Sequence, residues 1–309
     1  MMKKLALILS LVATTAISCD DEIFPELPAD QEVLVVDAWL IHQPGEQIIR
    51  LTRSQSYFDN STPVGVSGAT VIVSDGSNDF IFTETANSGH YAYTPPNNSS
   101  FGTIGNEYTL TILSNGEEYI STTRLNPIPL IDSVTFRYEE ENAFFEESYW
   151  AEFWSRDLAG EGNTYWIKSY KNGELLNKPA EINIAYDAGF SKGGGIDNLI
   201  FIPPIRDGIN PFDEDEDGMF ISPFSDGDDV YVEIHSISED AFTFLTNVRI
   251  QTDRPGGFAE LFAQPLANVP TNISNTNLNS SNIVQGFFNV AAMHGMGATL
   301  DVSTVDKTN

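Results

Sequence analysis

The chain has 309 residues, with 44 acidic against 15 basic side chains, a net charge of −29 and one cysteine, Cys19. Such a field repels nucleic acid and anionic lipid head groups, which sets both aside as partners, while it favours solubility and cations. A lone cysteine excludes an internal disulfide.

Met1 to Ser18 opens with Lys3 and Lys4, continues with the apolar run Leu5–Ala13 and closes on small residues. That is the order of a secretory signal peptide, and the run is too short to span a bilayer. No other stretch approaches the ~20 apolar residues of a membrane helix. Loss of residues 1–18 removes two lysines and no acid, so the mature chain is more acidic still. Ala16-Ile17-Ser18-Cys19 resembles the bacterial lipobox, although Ala16 stands where Leu is commoner. In that motif the cysteine thiol carries diacylglycerol and its amine is acylated. Several acyl chains on Cys19 exceed the marginal anchoring of a single chain. A free thiol, the alternative, needs neither the small residues nor the leader. With Cys19 committed to lipid, no thiol nucleophile remains. Residues 19–31 are acidic and carry Pro25 and Pro28, which predicts an extended tether. Its acidic start resembles the signal that exports lipoproteins to the cell surface in Bacteroidota.

From Glu32 short β-type runs alternate with turn residues. Strands are predicted at Val33–Leu40, Gln47–Arg53, Ala69–Ser74, Phe80–Glu84, Gly89–Thr94, Glu107–Ser114 and Glu118–Thr123. Asn115-Gly116 centres a strong hairpin signal, and Val71 and Val73 are expected to face a core. Seven short strands at regular spacing predict an antiparallel β-sandwich over 32–126, immunoglobulin-like or carboxypeptidase-regulatory-like. Asn126-Pro127-Ile128-Pro129 is a stiff link. Beyond it, 127–309 reads as a second β-rich domain with long acidic loops. Its strands are expected at Asp132–Tyr138, Tyr149–Ser155, Thr164–Lys171 and Asp229–Ser236, with Val230, Val232 and Ile234 on one face. Residues 187–228 read as loops. One short helix is expected near 238–251, with Ser236-Ile237-Ser238-Glu239 as its capping box and Ala241, Leu245 and Val248 on one face. A last strand is expected around Gln285–Ala292. The fold class is therefore all-β.

Several segments stand in a recognisable order: Pro63–Val71, Gly89-His90-Tyr91, Gly105-Asn106-Glu107-Tyr108, Ile131-Asp132-Ser133-Val134, Asn268–Ile273 and Gly286-Phe287-Phe288. Together they resemble the Bacteroidota lipoproteins of the domain of unknown function 4249 family, over nearly the whole mature chain. The resemblance implies an outer-membrane lipoprotein, often encoded beside a TonB-dependent transporter. These motifs are structural signposts and name no activity.

Asp213, Asp215 and Asp217, followed by Gly218, reproduce the first half of an oxygen-ligand calcium loop. Position twelve is Phe224 and not a bidentate Glu, which argues against an EF-hand, and a solvated acidic loop is the favoured alternative. Calcium is thus the one cofactor considered, and otherwise none is expected. His42, His90, His235 and His294 lack zinc spacing. His235 shares a strand face with Glu233 and Tyr231 and is expected to be half-exposed. A Gly-x-Ser-x-Gly string occurs at Gly189-Phe190-Ser191-Lys192-Gly193, but it lies in the stretch read as loops and lacks the strand-to-helix setting of a nucleophile elbow. Nothing selects one glycosidase-like pair among 44 acids. Aromatic residues crowd 144–170, including Phe144 and Phe145. Trp150 and Trp154 share one strand face, and Tyr149 and Phe153 the other. With Trp166 they form a candidate ligand or partner platform, and burial of both faces in core is the alternative. The expected function is a lipid-anchored, non-catalytic surface protein that assists a TonB-dependent transporter. A glycan-binding or adhesive module and a secreted hydrolase are the alternatives.

Overall fold

Period-two alternation builds the first strand. In β1 (Leu34–Ile41) Leu34, Val36, Ala38 and Leu40 are buried while Asp37 on the other face is exposed. These positions belong to a computed structural model that describes residues 32–56, 59, 61–141, 147–214 and 220–307. The leader 1–18, Cys19, the tether 19–31, Phe144, Phe145, Asp215 and Asp217 lie outside the described residues.

The strands β2 (Gln47–Arg53), β3 (Thr70–Ser74), β4 (Asp79–Glu84), β5 (His90–Tyr93), β6 (Glu107–Ser114) and β7 (Glu117–Arg124) follow at close to the expected bounds. Each pairs antiparallel with its neighbours in the order β1-β2-β5-β4-β3-β6-β7. β4 turns the corner, since it pairs both β3 and β5. The sheet therefore closes over a first core that includes Leu34, Ile49, Val71, Val73, Tyr91, Leu110 and Ile112. Val71 and Val73 face inward as their alternation requires. Asn115-Gly116 forms the β6–β7 turn, with both residues at positive φ.

Past Pro127 come β8 (Ile131–Glu139) and β9 (Ser148–Ser155), a separate two-stranded sheet, then β10 (Thr164–Lys171), β11 (Glu174–Leu175) and β12 (Asn183–Tyr186). β13 (Asp229–Ile237), the helix Glu239–Thr252, β14 (Ser274–Asn275) and β15 (Val284–Thr299) complete the fold. β10, β13 and β15 are consecutive antiparallel neighbours. Their inner face packs on β8 and β9 around Ala151, Phe153, Tyr165, Ile167, Val230, Val232 and Ile234, the second core. Their outer face is partly covered by the helix, through Ala241, Leu245 and Phe244 against Trp39, Trp166, Phe287 and Ala291.

β15 is the strand common to both cores. It runs 16 residues and pairs in parallel with β1 at one end and antiparallel with β13 at the other. Its even-numbered face gives Val284, Phe288, Val290 and Ala292 to the first core and Met296 and Ala298 to the second. Glu32–Gln55 and Asp59–Asn309 pack as one unit. The chain is nearly all β with sandwich-like sheets, as expected, and helical structure beyond the predicted helix includes the four-residue turn Pro203–Arg206.

Three expectations need correction. The helix is capped by Ser238, whose Oγ accepts from Ala241 N at 3.1 Å, and not by Ser236. Ser236 is still in β13, paired with Tyr165 and Ala292, so its backbone is committed to the sheet. β15 continues seven residues past the expected end, and β11, β12 and β14 add short pairings to the edges. Among the described residues no helix is long and apolar enough to cross a membrane.

Candidate functional site

Strand alternation places Ala151 and Phe153 of β9 in the second core and turns Trp150, Glu152 and Trp154 outward, half-buried. Trp150 stacks on Phe220 at 5.2 Å and 8°, with the Arg137 guanidinium 5.5 Å from its ring centre. Its Nε1 donates to Ser148 Oγ at 2.9 Å. The Arg206 guanidinium sits 3.8 Å from the Trp154 ring centre, and Trp154 Nε1 donates to Thr135 Oγ1 at 3.0 Å. Glu152 lies between the two indoles, 3.6 Å from Arg137 and 3.7 Å from Arg206. Asp207 reaches Arg137 at 3.1 Å.

Burial first, and the neighbouring Asp207 carboxyl second, push the Glu152 carboxyl above its ordinary range. Arg206 Nε and Asp207 Oδ1 are buried without a hydrogen-bond partner. This face is therefore an ion cluster walled by two indoles whose rings already carry cations or an aromatic neighbour. It can hold a proton and meet a polar group, but it does not offer two bare rings.

Trp166 is elsewhere. It lies on the outer face of β10, edge-on to Trp39 at 5.2 Å, with Lys168 Nζ 4.0 Å from its ring centre. The second core separates it from Trp150 and Trp154, so the three indoles do not form one platform. Near Trp166, His235 is 2% exposed and not half-exposed, set in the sheet between Trp166 of β10 and Met293 of β15, with the Trp166 ring 6.3 Å away. Its Nε2 is 2.8 Å from Glu233 Oε2, which also accepts from the Tyr170 hydroxyl at 3.1 Å. Burial holds the His235 imidazole below its usual value despite Glu233. Burial opposes ionisation of Glu233, but the His235 and Tyr170 hydrogen bonds and the Lys168 charge outweigh it and lower that carboxyl.

The other histidines are dispersed: His42 Nδ1 is 2.8 Å from Phe101 O, and His294 Nδ1 accepts from Ile131 N at 3.1 Å. Asp213 is exposed and ion-paired with Lys178. Instead, Asp157, Asp187 and Asp197 bring carboxylate oxygens within 4.8 Å of one another. Asp157 and Asp187 are buried. An all-oxygen set of this kind suits a hard cation such as calcium. Each acid also ties a loop. Asp157 accepts from the Tyr165 hydroxyl at 2.6 Å and Asn198 N at 3.1 Å. Asp187 accepts from Gly162 N and Asn163 N, and Asp197 from Gly160 N. Burial raises the Asp157 carboxyl against the pull of those donors. No motif spacing joins these three positions. The only signal in the sequence was the strand-to-turn setting of Asp157, which a chain with 44 acids hides.

Residues 20–294 match the family described as a domain of unknown function, DUF4249, and the chain belongs to that family. No curated protein matches. Among solved structures, bovine butyrophilin is similar at 12% identity and a TM-score of 0.20, over 66% of this chain and 92% of that one.

Proposed function

We propose that this member of the family is a lipid-anchored, non-catalytic protein of the outer-membrane surface in a Bacteroidota bacterium. It serves as an accessory or ligand-capture component of a TonB-dependent nutrient transporter. The observation that carries this reading is Cys19, which follows a basic and apolar leader directly and precedes a family match that begins at residue 20. The sequence that follows it, acidic and with Pro25 and Pro28, has the composition of a linker.

Fractionation with intact-mass measurement tests the anchor. The membrane-bound form should carry an acylated N-terminal cysteine at position 19, and Cys19→Ser should leave an unacylated chain outside the membrane. Native pull-down tests the partner: a β-barrel should co-purify, and recovery of the monomer alone counts against a transporter role.

A further inference from the structure

The helix Glu239–Thr252 covers only one end of the outer β10–β13–β15 face. The other end carries Tyr231 of β13, exposed, with Lys168 and Tyr170 of β10 and Glu233 of β13 half-buried around it. The register sets Lys168 opposite Glu233 and Glu233 opposite Gly295. One step along, Tyr170 faces Tyr231 and Tyr231 faces Gly297. Tyr231 is 41% exposed.

A Cβ at Gly295 would collide with the Tyr231 hydroxyl and ring, and one at Gly297 would meet Tyr231 Cδ2 at 3.1 Å. The ring therefore lies along the β15 backbone, one face on peptide and the other open to water. Glycine costs roughly 0.5–1 kcal/mol relative to alanine inside a strand, and within a sheet it marks places where another group approaches the backbone closely. Here the space made by two glycines on one face is taken by one tyrosine. Tyr170 stands beside it, ring centres 6.0 Å apart and tilted by 54°. Glu233 Oε2 accepts from Tyr170 and His235, while Lys168 rests over Trp166.

We propose that this shelf binds a neutral oligosaccharide, with one sugar ring stacked on Tyr231 and its hydroxyls bonded by Glu233 and Lys168. The site gives the ligand-capture role proposed above its substrate class, and it rests on that role. A pyranose offers an apolar C–H face to an aromatic ring and hydroxyls at its rim. A carboxylate accepts from such hydroxyls and an ammonium donates to them. Lys168 and Glu233 balance each other, and the charge of −29 disfavours acidic sugars. Around Tyr231 stand a lysine, a carboxylate, a tyrosine hydroxyl and glycine backbone, not the apolar centre that anchors a protein interface.

Calorimetry on the full chain, in a detergent without a sugar head group, tests the shelf with xylohexaose, maltohexaose, mannohexaose and hexagalacturonate. At least one neutral hexasaccharide should bind. Tyr231→Ala should weaken it by about tenfold or more, with Tyr231→Phe retaining it and the melting temperature verifying each fold. Gly297→Ala, which lifts the ring, should weaken it too. The proposal is overturned if no neutral sugar binds at millimolar concentration, if Tyr231→Ala and Gly297→Ala both bind as the parent does, or if hexagalacturonate binds as well as the neutral sugars. Barrel co-purification with no sugar bound sinks the shelf and leaves the transporter role; sugar bound with no barrel recovered does the reverse.

Discussion

At the scale of single residues, the buried hydrogen bonds make the sharpest predictions. The Tyr165 hydroxyl donates to Asp157 inside the second core, where burial already raises the acid. Tyr165→Phe removes a donor and leaves Asp157 its bond from Asn198, so denaturant melts should show a loss of about 1–3 kcal/mol at neutral pH. The sign with pH follows from the raised carboxyl. Its ionisation opposes folding, so the stability tied to the protonated acid is present below about 3.9, the unfolded value, and fades as pH rises through the higher folded value. The Tyr165→Phe deficit should therefore shrink in acid; a deficit that grows in acid contradicts this account.

His235 works in the opposite sense. Its imidazole is held down by burial, with Glu233 beside it on β13, Lys168 and Trp166 on β10 and Met293 across on β15. The unfolded chain takes up a proton near pH ~6.5 that the folded imidazole resists, so stability present above that value is lost as pH falls below it. Melting temperature scanned from about pH 8 to about pH 5 should fall, and His235→Gln should flatten the slope. The sequence showed that His235, Glu233 and Tyr231 share a face, because period two is enough for that. It did not show burial of His235, which depends on Trp166 and Met293 meeting it from strands far away in sequence, nor the meeting of Asp157, Asp187 and Asp197 from three separate loops.

At the scale of elements, the strands were legible wherever alternation and β-branched residues coincide, as in Thr70–Ser74 and Asp229–Ile237. The far half of β15 was not. Met293-His294-Gly295-Met296-Gly297 carries no β-branched residue, and its glycines have meaning only beside Tyr231. The helix was legible by its periodicity, but its start was set by competition with the sheet for Ser236. Ser238→Ala should accordingly cost about 1 kcal/mol by thermal or urea melts, whereas Ser236→Ala should not cost a cap. A second element test lies at Gly286, which has φ +94° and where a Cβ would collide with the Val36 backbone. Gly286→Ala must both adopt a strained backbone and push β15 from β1. It should destabilise by more than about 1 kcal/mol, the lower end of a strained non-glycine site.

At the scale of the molecule, β15 decides how the chain unfolds. Pro127 and Pro129 mark a change of region that composition and stiffness expose readily. The sequence could not show that the last strand returns to lie parallel to the first, because that pairing joins residues some 250 positions apart. One face of β15 fills both cores, so loss of either core frees a strand that the other needs. The two cores should then melt in a single transition. Ile234→Ala, a truncation of about 2–5 kcal/mol deep in the second core, should lower hydrogen-exchange protection in β3 and β6 of the first core as well as in β10 and β13. If the exchange of β3 and β6 stays at its parent level while β10 and β13 open, the cores are independent and β15 does not couple them. Coupling of this kind keeps the Tyr231 shelf rigid, because the glycines beneath it lie on the stretch of β15 that pairs with β13, and the same strand is clamped by β1 at its other end.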